Sequence, residues 1–226
     1  LGAERLKLLA ASVAHDIKSP ITGIYGLTKL LSEQYRNAID EKGMRYFSSI
    51  MKASEHILNL AEKVNAYIAT KATPLHIQEV DLREVLTVLR EEFSLRLAAR
   101  SIAWVQCQPP VKVRADRLSL LRMFRNFIDN ALKYGGEQLT EIRIGYEETE
   151  DFHIFSVSDD GRGVSKEDSI RLFEIFHRSS ASIGIEGTGL GLAIVKEIAE
   201  KHGGSVSVKT GVEKGVTFSC SISRNL

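Results

Sequence analysis

The feature that most constrains the fold is a pair of apolar series with near-heptad spacing in the first third of the chain. The first series runs from Leu6 to Leu31 and the second from Phe47 to Ile68. Apolar residues at this spacing predict amphipathic α-helices. The short segment SEQYRNAIDEKG between them predicts an antiparallel helical hairpin. Since a single hairpin cannot bury both apolar seams, we expect two chains to form a homodimeric four-helix bundle.

A second domain is predicted after Pro74, which ends the second helical pattern because proline disrupts a continuing helix. A short β-like run follows, and Asp81 is placed to cap a further helix that extends through Ala99. We therefore divide the chain into a helical hairpin at 1–73 and a domain of mixed helices and strands at 74–226.

The second domain has six further strand-like segments with three helical patterns between them. The strand segments are SIAWVQCQ, VKVRAD, EIRIGYEE, DFHIFSVSD, SVSVKTG and VTFSCSIS, and the helices span about 117–134, 166–176 and 190–202. Strands in adjacent pairs predict a mixed, largely antiparallel sheet with helices on one face, not a doubly wound parallel sheet. The predicted fold class is α+β.

Composition and charge exclude several classes of partner. The 226 residues are 43% hydrophobic and 26% charged, and 30 basic against 29 acidic residues give a net charge of +1. This balance predicts neither nucleic-acid binding nor membrane contact. No apolar run reaches the roughly 18 residues that cross a bilayer. Because the chain begins at Leu1 without a signal-peptide pattern, we expect a cytoplasmic piece of a longer protein, whether or not that parent is membrane-anchored.

The two cysteines predict neither a disulfide framework nor a metal site. Cys107 and Cys220 lie far apart and lack the spacing of metal ligands. We expect both to be small buried residues in a reducing compartment.

His15 and Asp16 stand out in the first helical pattern. At about 100° per residue, His15 lies opposite the apolar seam and is expected to face solvent. An exposed histidine on a charged helix is ordinary by itself. However, the neighbouring carboxylate of Asp16 can hold an imidazole in its nucleophilic tautomer and take its proton. Pro20, inside the same pattern, is expected to bend the helix one turn after His15.

A polar stripe is predicted along the helix at 117–134. Asn126, Asn130 and Lys133 stand at i, i+4 and i+7 and share one face. Amide oxygens can complete the shell of a hydrated Mg²⁺, and a lysine can neutralise phosphate oxygens. A solvated surface is the simpler interpretation, but asparagine is a poor helix former, so two on one face need a reason.

The segment FSVSDDGRGV ends a predicted strand in acids followed by alternate glycines. Gly161 and Gly163 let the backbone approach a ligand closely, although a tight turn alone also explains them. Either Asp159 or Asp160 can accept a hydrogen bond from an exocyclic amine such as that of adenine.

A second glycine run, EGTGLGL, leads directly into an amphipathic helix. Gly187, Gly189 and Gly191 place free N–H groups and the positive end of the helix dipole where phosphates can bind. The spacing is not that of a dinucleotide-binding fingerprint. The small residues at 179–186, which precede this run, predict a flexible lid over a nucleotide.

The order of these motifs resembles that of bacterial two-component sensor histidine kinases over nearly the whole chain. HDIKSP is similar to the H-box, NFIDNALKY to the N-box, DDGRGV to the G1 box, FEIFHR to the F-box and GTGLGL to the G2 box. Gyrase-like and heat-shock-chaperone-like ATPases share the nucleotide motifs but have no use for an H-box. A non-catalytic dimeric scaffold is the other alternative, and the intact Asn130 and Asp159 argue against it.

The resemblance implies a dimerisation and histidine phosphotransfer domain at 1–73 and a Bergerat-type ATP-binding domain, an α/β sandwich, at 74–226. It implies that His15 accepts the γ-phosphoryl group of ATP, that Asp16 is the general base and that Asn130 binds Mg²⁺. The phosphoryl group then passes to an aspartate of a response regulator. The ATP-binding positions implied are Asn126, Asn130, Lys133, Tyr134, Asp159, Gly161, Gly163, Arg178, Gly187, Thr188, Gly189, Leu190 and Gly191.

One position departs from the common pattern of the family. Ser19, one turn after His15 on the same helix face, stands where many relatives carry Thr or Asn, the residue tied to dephosphorylating the partner. The resemblance therefore does not carry phosphatase activity over to this chain.

Overall fold

The computed structural model describes residues 2–106, 111–178, 187–211 and 214–226, excluding the side chains of residues 2–11, 15 and 166. The chain divides into two compact units, Leu1–Ala72 and Thr73–Leu226. The sequence placed this division one residue later, after residue 73. Among the described helices, none combines the length and apolar character that a bilayer-spanning segment requires.

The first unit is the predicted helical hairpin. Helix α1 spans Gly2–Gln34 and helix α2 spans Glu41–Ala72. Helix α1 continues through Pro20 without ending there. The carboxylate of Asp40 accepts a hydrogen bond of 2.8 Å from the backbone N–H of Gly43, and so satisfies a free donor in the first turn of α2. An ion pair of 2.8 Å between Lys18 and Glu62 joins the two helices.

Among the hairpin side chains that the structure describes, the buried positions are occupied by small residues. Ala14, Thr28, Ser54, Ala61 and Thr70 are buried, and each of the three hydroxyls donates to the carbonyl four residues earlier in its own helix. Many of the large aliphatic side chains are exposed in the single chain. They include Val13, Ile17, Ile24, Leu27, Leu30, Leu31, Ile50 and Ile57.

Within its described residues, the second unit has four helices, two sheets and every predicted strand. Its helices are α3 at Leu82–Ala98, α4 at Arg117–Tyr134, α5 at Lys166–Ser169 and α6 at Gly191–Lys201. Its strands are β1 at Ile77–Asp81, β2 at Ala103–Gln106, β3 at Lys112–Asp116, β4 at Glu141–Glu148, β5 at Phe152–Asp159, β6 at Val206–Thr210 and β7 at Val216–Ser223. The main sheet has the order β2-β4-β5-β7-β6, in which only β2 and β4 are parallel. The mixed, largely antiparallel sheet is thus confirmed.

A separate two-stranded ladder of β1 and β3 was not predicted. Each of its strands ends in an aspartate that caps the next helix. Asp81 accepts a 2.8 Å hydrogen bond from the N–H of Arg83 in α3, and Asp116 accepts one of 2.8 Å from the N–H of Ser119 in α4. The ladder therefore fixes where α3 and α4 begin.

The core lies between the helices and one face of the main sheet. Phe124 and Phe127 of α4 contact the sheet at Phe155 and Phe218, with ring centroids 5.7 and 5.6 Å apart. Cys220 is fully buried on the same face, and burial raises the pKa of its thiol to about 12. Cys107 lies outside the described residues.

The helix predicted at 166–176 is wrong beyond its first turn. Helix α5 has only four residues, and turns closed by bonds to the residue three positions earlier carry the chain onward. Two tertiary contacts explain the difference. Phe173 packs edge-on against Phe218 at 6.3 Å, and Phe176 adopts a left-handed φ of 60° while its N–H donates to the carbonyl of Gly189 at 3.0 Å.

Candidate functional site

The polar stripe on α4 runs from the interior of the second unit towards solvent. Asn126 is buried, and its Nδ2 donates to the carbonyl of Arg122 at 2.8 Å. Asn130 is half-buried and Lys133 is exposed. The apolar side chains on the other side of the same helix, Leu121, Phe124, Ile128 and Leu132, are buried in the core. The stripe thus carries a buried amide, a half-buried amide and an exposed ammonium group in that order along α4.

The glycine run before α6 lies directly against this stripe. A Cβ atom on Gly191 would lie 2.9 Å from Asn126 Oδ1, and one on Gly187 would lie 2.4 Å from the hydroxyl oxygen of Tyr134. Leu190, the N-cap residue of α6, is buried and supplies no side-chain cap, so the first-turn N–H groups lack that partner. The missing Cβ atoms therefore allow the N-box and G2 box to meet.

Asp159 ends β5 and is mostly buried. Its Oδ1 accepts a hydrogen bond of 3.0 Å from the N–H of Gly161. Burial raises the pKa of Asp159 from 3.8 to about 6, the neighbouring charge of Asp160 adds to the rise, and the bond from Gly161 opposes it. The carboxyl group is therefore mainly ionised at neutral pH, but its charge is destabilised because burial removes it from water.

Asp160 performs a structural task, which separates the two acids that the sequence left as alternatives. Its carboxylate accepts hydrogen bonds of 2.9 Å from the N–H groups of Thr140 and Glu141, and another from the Thr140 hydroxyl. Burial alone would raise the pKa of Asp160, but these hydrogen bonds lower it. Asp160 thus stabilises the start of β4, which leaves Asp159 as the candidate ligand-binding acid.

The G1 segment, residues 159–164, packs closely against the end of α4. A Cβ atom on Gly161 would lie 2.4 Å from the Cα of Gly135, and the N–H of Arg162 donates to the Gly135 carbonyl at 3.0 Å. Gly163 has a φ of 73°, a conformation that favours glycine. On the other side, the N–H of Gly215 donates to the Gly161 carbonyl at 2.7 Å. These contacts fix the position of the segment that follows Asp159 relative to the end of α4.

The remaining predicted positions fall into two groups. In the second unit, Thr188 is half-buried and Arg178 is exposed. The charge of Arg178 favours ionisation of Tyr134, although burial outweighs it and raises the pKa of that phenol. In the first unit, Asp16 and Ser19 are exposed on α1. His15 belongs to α1, but its side chain lies outside the described residues, as do residues 179–186, where a lid was predicted.

The sequence did not single out the residues that support the end of α4. Arg100 Nη1 donates to the carbonyl of Leu132 at 2.7 Å, and Nη2 donates to that of Gly136. A cavity of about 590 Å³ lies at this end, bordered by Arg100, Lys133 and Arg162 among others. The pair Gly135–Gly136 after the N-box was the available signal, because paired glycines mark a close backbone approach.

Two family models match the chain, one over each unit. The His Kinase A (phospho-acceptor) domain matches residues 5–67. The model described as histidine kinase-, DNA gyrase B-, and HSP90-like ATPase matches residues 115–225. The second unit is thus an ATPase domain of the Bergerat fold. With the phospho-acceptor hairpin before it, the chain belongs to the histidine kinases and forms their catalytic core.

Relatives and solved structures agree with this family. Cyanobacterial phytochrome A from Nostoc sp. is 32% identical over 217 residues, which are 94% of this chain and 28% of that protein. The crystal structure of full-length ShkA in complex with AMPPNP has a TM-score of 0.71 at 26% identity, covering 95% of this chain and 45% of that one. Histidine kinase ThkA in complex with response regulator protein TrrA has the same fold, with a TM-score of 0.66 at 24% identity and coverages of 98% and 63%. The chain therefore spans less than a third of the phytochrome's length.

Proposed function

We propose that this catalytic core transfers the γ-phosphoryl group of ATP to His15 and then to an aspartate of a response regulator. The observation that carries the proposal is the convergence of separate motifs in the second unit. The N-box contacts the G2 box at Asn126 and Gly191, and the end of the N-box helix contacts the G1 box at Gly135 and Gly161. The phospho-acceptor family model matches the unit that contains His15.

The adenine end of ATP fits the G1 side of the site. Asp159 is ionised at neutral pH and can accept a hydrogen bond from the exocyclic amine of adenine. A Cβ atom on Gly187 would clash with the hydroxyl of Tyr134, and one on Gly161 would clash with the backbone of Gly135, the residue after Tyr134. We propose that Tyr134 flanks the base and that Gly161 and Gly163 shape its pocket.

The phosphate end fits the G2 side. The N-terminus of α6 offers N–H groups and the positive end of its dipole to an anion. Lys133, exposed on the same helix face as the asparagines, adds a cationic group. We propose that these groups, together with Arg178 and the loop at 187–191, hold the phosphates for in-line transfer.

Mg²⁺ fits the donor set at this end of the site. No cluster of three or more His, Cys, Asp or Glu side chains occurs among the described residues, so a site built only from protein ligands is not found there. Mg²⁺ commonly takes one or two protein oxygens together with waters and phosphate oxygens. We propose that Asn130 Oδ1 is the protein ligand. When bound, the ion neutralises negative charge on the phosphates.

The transfer itself needs few groups from the protein. A ring nitrogen of His15 forms a bond to the γ-phosphorus while the bond from phosphorus to the ADP oxygen breaks, and ADP leaves with the electron pair. Asp16, the next residue of α1, takes the proton from the other ring nitrogen. In the second step, a carboxylate oxygen of the regulator's aspartate replaces the imidazole on phosphorus. The exposure of Asp16 and Ser19 on α1 supports access to this part of the helix.

We further propose a homodimer formed through the hairpin. Exposed aliphatic side chains of α1 and α2 form a seam, while the buried positions in the described part of the hairpin are small residues. A second hairpin can cover this seam and complete a four-helix bundle. The response regulator partner is supported by the likeness of fold to ThkA, whose structure is a complex with a response regulator protein.

Autophosphorylation with γ-labelled ATP and Mg²⁺ tests the proposed function. The unmodified protein should gain label that is acid-labile and alkali-stable, as a phosphorus–nitrogen bond is. His15→Ala and Asn130→Ala should gain none, whereas His56→Ala, which removes the other histidine of the hairpin, should label normally. Label on His15→Ala would show that the acceptor is wrong. An unlabelled protein that also fails to bind AMPPNP in a calorimeter would refute the kinase proposal.

A further inference from the structure

His177 has a buried polar atom that lacks a partner. Its Nδ1 is inaccessible to solvent and makes no hydrogen bond, and it is the only buried side-chain nitrogen or oxygen of this kind in the described part of the chain. Buried polar atoms in native proteins are usually hydrogen-bonded, because an unmade bond loses the energy of hydration without replacing it. Such an atom needs an explanation.

The backbone at His177 is joined to the glycine loop of the site. The N–H of Phe176 donates to the carbonyl of Gly189 at 3.0 Å, and a Cβ atom on Gly189 would lie 2.8 Å from the carbonyl oxygen of His177. Both bonded residues are in the left-handed region, with φ of 60° at Phe176 and 68° at Gly189. A left-handed aromatic residue is strained, so this contact holds the segment in an unfavourable conformation.

The residues on either side connect this segment to the nucleotide-binding groups. Arg178 acts electrostatically on Tyr134, whose hydroxyl lies against Gly187. Gly189 belongs to the loop before α6, the side of the site that we assign to phosphates. His177 therefore lies in a segment that contacts the phosphate loop, and none of the proposed catalytic steps uses it.

We propose that His177 is a positioning residue for the triphosphate: when the phosphates bind, the loop at 187–191 rearranges and a backbone group of that loop becomes the hydrogen-bond partner of Nδ1. This inference rests on the proposed function. The bond exists only with the triphosphate in place, so its energy adds to triphosphate affinity and not to the stability of the nucleotide-free protein. We expect the bound phosphates to shift the conformational equilibrium of the strained Phe176–Gly189 contact.

Three substitutions separate this role from a structural one. His177→Phe keeps the ring shape without Nδ1, His177→Asn keeps a polar atom near the position of Nδ1, and His177→Gln keeps one near that of Nε2. His76→Phe is the matched control, because His76 is an exposed histidine of the same unit and only its backbone N–H is bonded to Asp116. Calorimetry with AMPPNP and with adenosine measures the two ends of the nucleotide separately.

His177→Phe and His177→Gln should weaken AMPPNP binding about tenfold or more, the effect of losing one hydrogen bond. Adenosine affinity should not change, and His177→Asn and His76→Phe should bind AMPPNP as the unmodified protein does. The Tm of nucleotide-free His177→Phe should not fall, while its rise on adding AMPPNP should be smaller. The ¹⁵N chemical shift of Nδ1 should move with AMPPNP and stay constant with adenosine.

The outcomes distinguish the two proposals. Unchanged AMPPNP affinity in His177→Phe, equal losses for adenosine and AMPPNP, or an Nδ1 shift that does not respond to AMPPNP would each overturn the role of His177 alone. If the unmodified protein binds no AMPPNP, the proposed function fails and the role of His177 fails with it.

Discussion

Two adjacent acids at the end of β5 show how burial divides roles between single residues. Asp160 is stabilised as a carboxylate by hydrogen bonds from Thr140 and Glu141, and its pKa is lowered. Asp159 has a pKa of about 6 because it is buried, so the folded protein loses stability when this carboxyl group ionises. The rise from 3.8 to about 6 corresponds to about 3 kcal/mol at most. The nucleotide-free protein therefore retains a destabilising charge where a ligand amine is expected.

Asp159→Asn should make the nucleotide-free protein more stable at pH 7.5, by about 1 to 3 kcal/mol. Because the folded pKa lies above the unfolded one, the destabilisation by Asp159 is fully present above pH 6 and disappears as the pH falls towards 4. The gain in the variant should shrink over the same range. Urea denaturation at pH 7.5 and pH 5 measures it, and AMPPNP affinity should fall because the charged acceptor is lost.

Asp160→Asn is the matched control for this prediction. It weakens hydrogen bonds that the folded state makes to a carboxylate, so it should lower stability at both pH values. If Asp159→Asn proves less stable than the unmodified protein at pH 7.5, Asp159 supports the fold and its assignment to the ligand is incorrect.

The motif DDGRGV could not decide between these two acids by itself. Both lie within two residues of Gly161 in sequence, and either side chain can accept a hydrogen bond. The difference arises from Thr140 and Glu141, which come from the start of a neighbouring strand and reach Asp160 only after β4 and β5 pair. Residue chemistry alone therefore left two candidates, the resemblance implied Asp159, and the contacts of Asp160 favour the same choice.

Between elements, the contact of the G1 segment with the end of α4 depends on two glycines. Gly161→Ala places a methyl group within 2.4 to 2.8 Å of three backbone atoms of Gly135, which cannot move without shifting α4. We expect this variant to lose about 2 kcal/mol or more of unfolding free energy, since overpacking against backbone forces a displacement. Nucleotide binding should weaken as well, because Asp159 shifts with Gly161.

Gly145→Ala is the appropriate comparison for this loss. Its added methyl group meets the hydroxyl of Ser156 at 2.5 Å, and that side chain can rotate away. The cost should therefore be well below that of Gly161→Ala in the same urea denaturation experiment. Equal losses would show that the close approach of the G1 segment to Gly135 is not what makes Gly161 important.

The segment at 166–176 shows where periodicity stops predicting an element. Its apolar residues have helical spacing, and Ser165 caps the first turn through the N–H of Asp168 at 3.0 Å. Beyond that turn, Phe173 and Phe176 are held by Phe218 and Gly189, which are distant in sequence. Long helices such as α4 were predicted with correct bounds because a full apolar face and an N-cap act together. In short segments, tertiary contacts override local preference.

At the scale of the whole molecule, a single chain does not explain the exposed seam of the hairpin. Leu27 and Leu30 are 65% and 61% exposed on α1, near the hairpin end. Several large aliphatic side chains accompany them on α1 and α2, more than isolated exposed residues account for. The sequence predicted this seam from spacing alone. Because the predicted bundle needs two chains, the mass of the particle in solution tests it.

Sedimentation should give the unmodified protein twice the mass of its 25.1 kDa chain. The double variant Leu27→Glu and Leu30→Glu should sediment as a monomer, because four carboxylates facing one another in the seam repel and lose hydration. Leu95→Glu is the control: Leu95 is 84% exposed on α3 of the second unit, and the dimer should persist. A dimer that survives the double variant would place the interface elsewhere, while a monomeric unmodified protein would refute the bundle. AMPPNP affinity of the double variant should equal that of the unmodified protein, since the nucleotide-binding residues belong to the other unit.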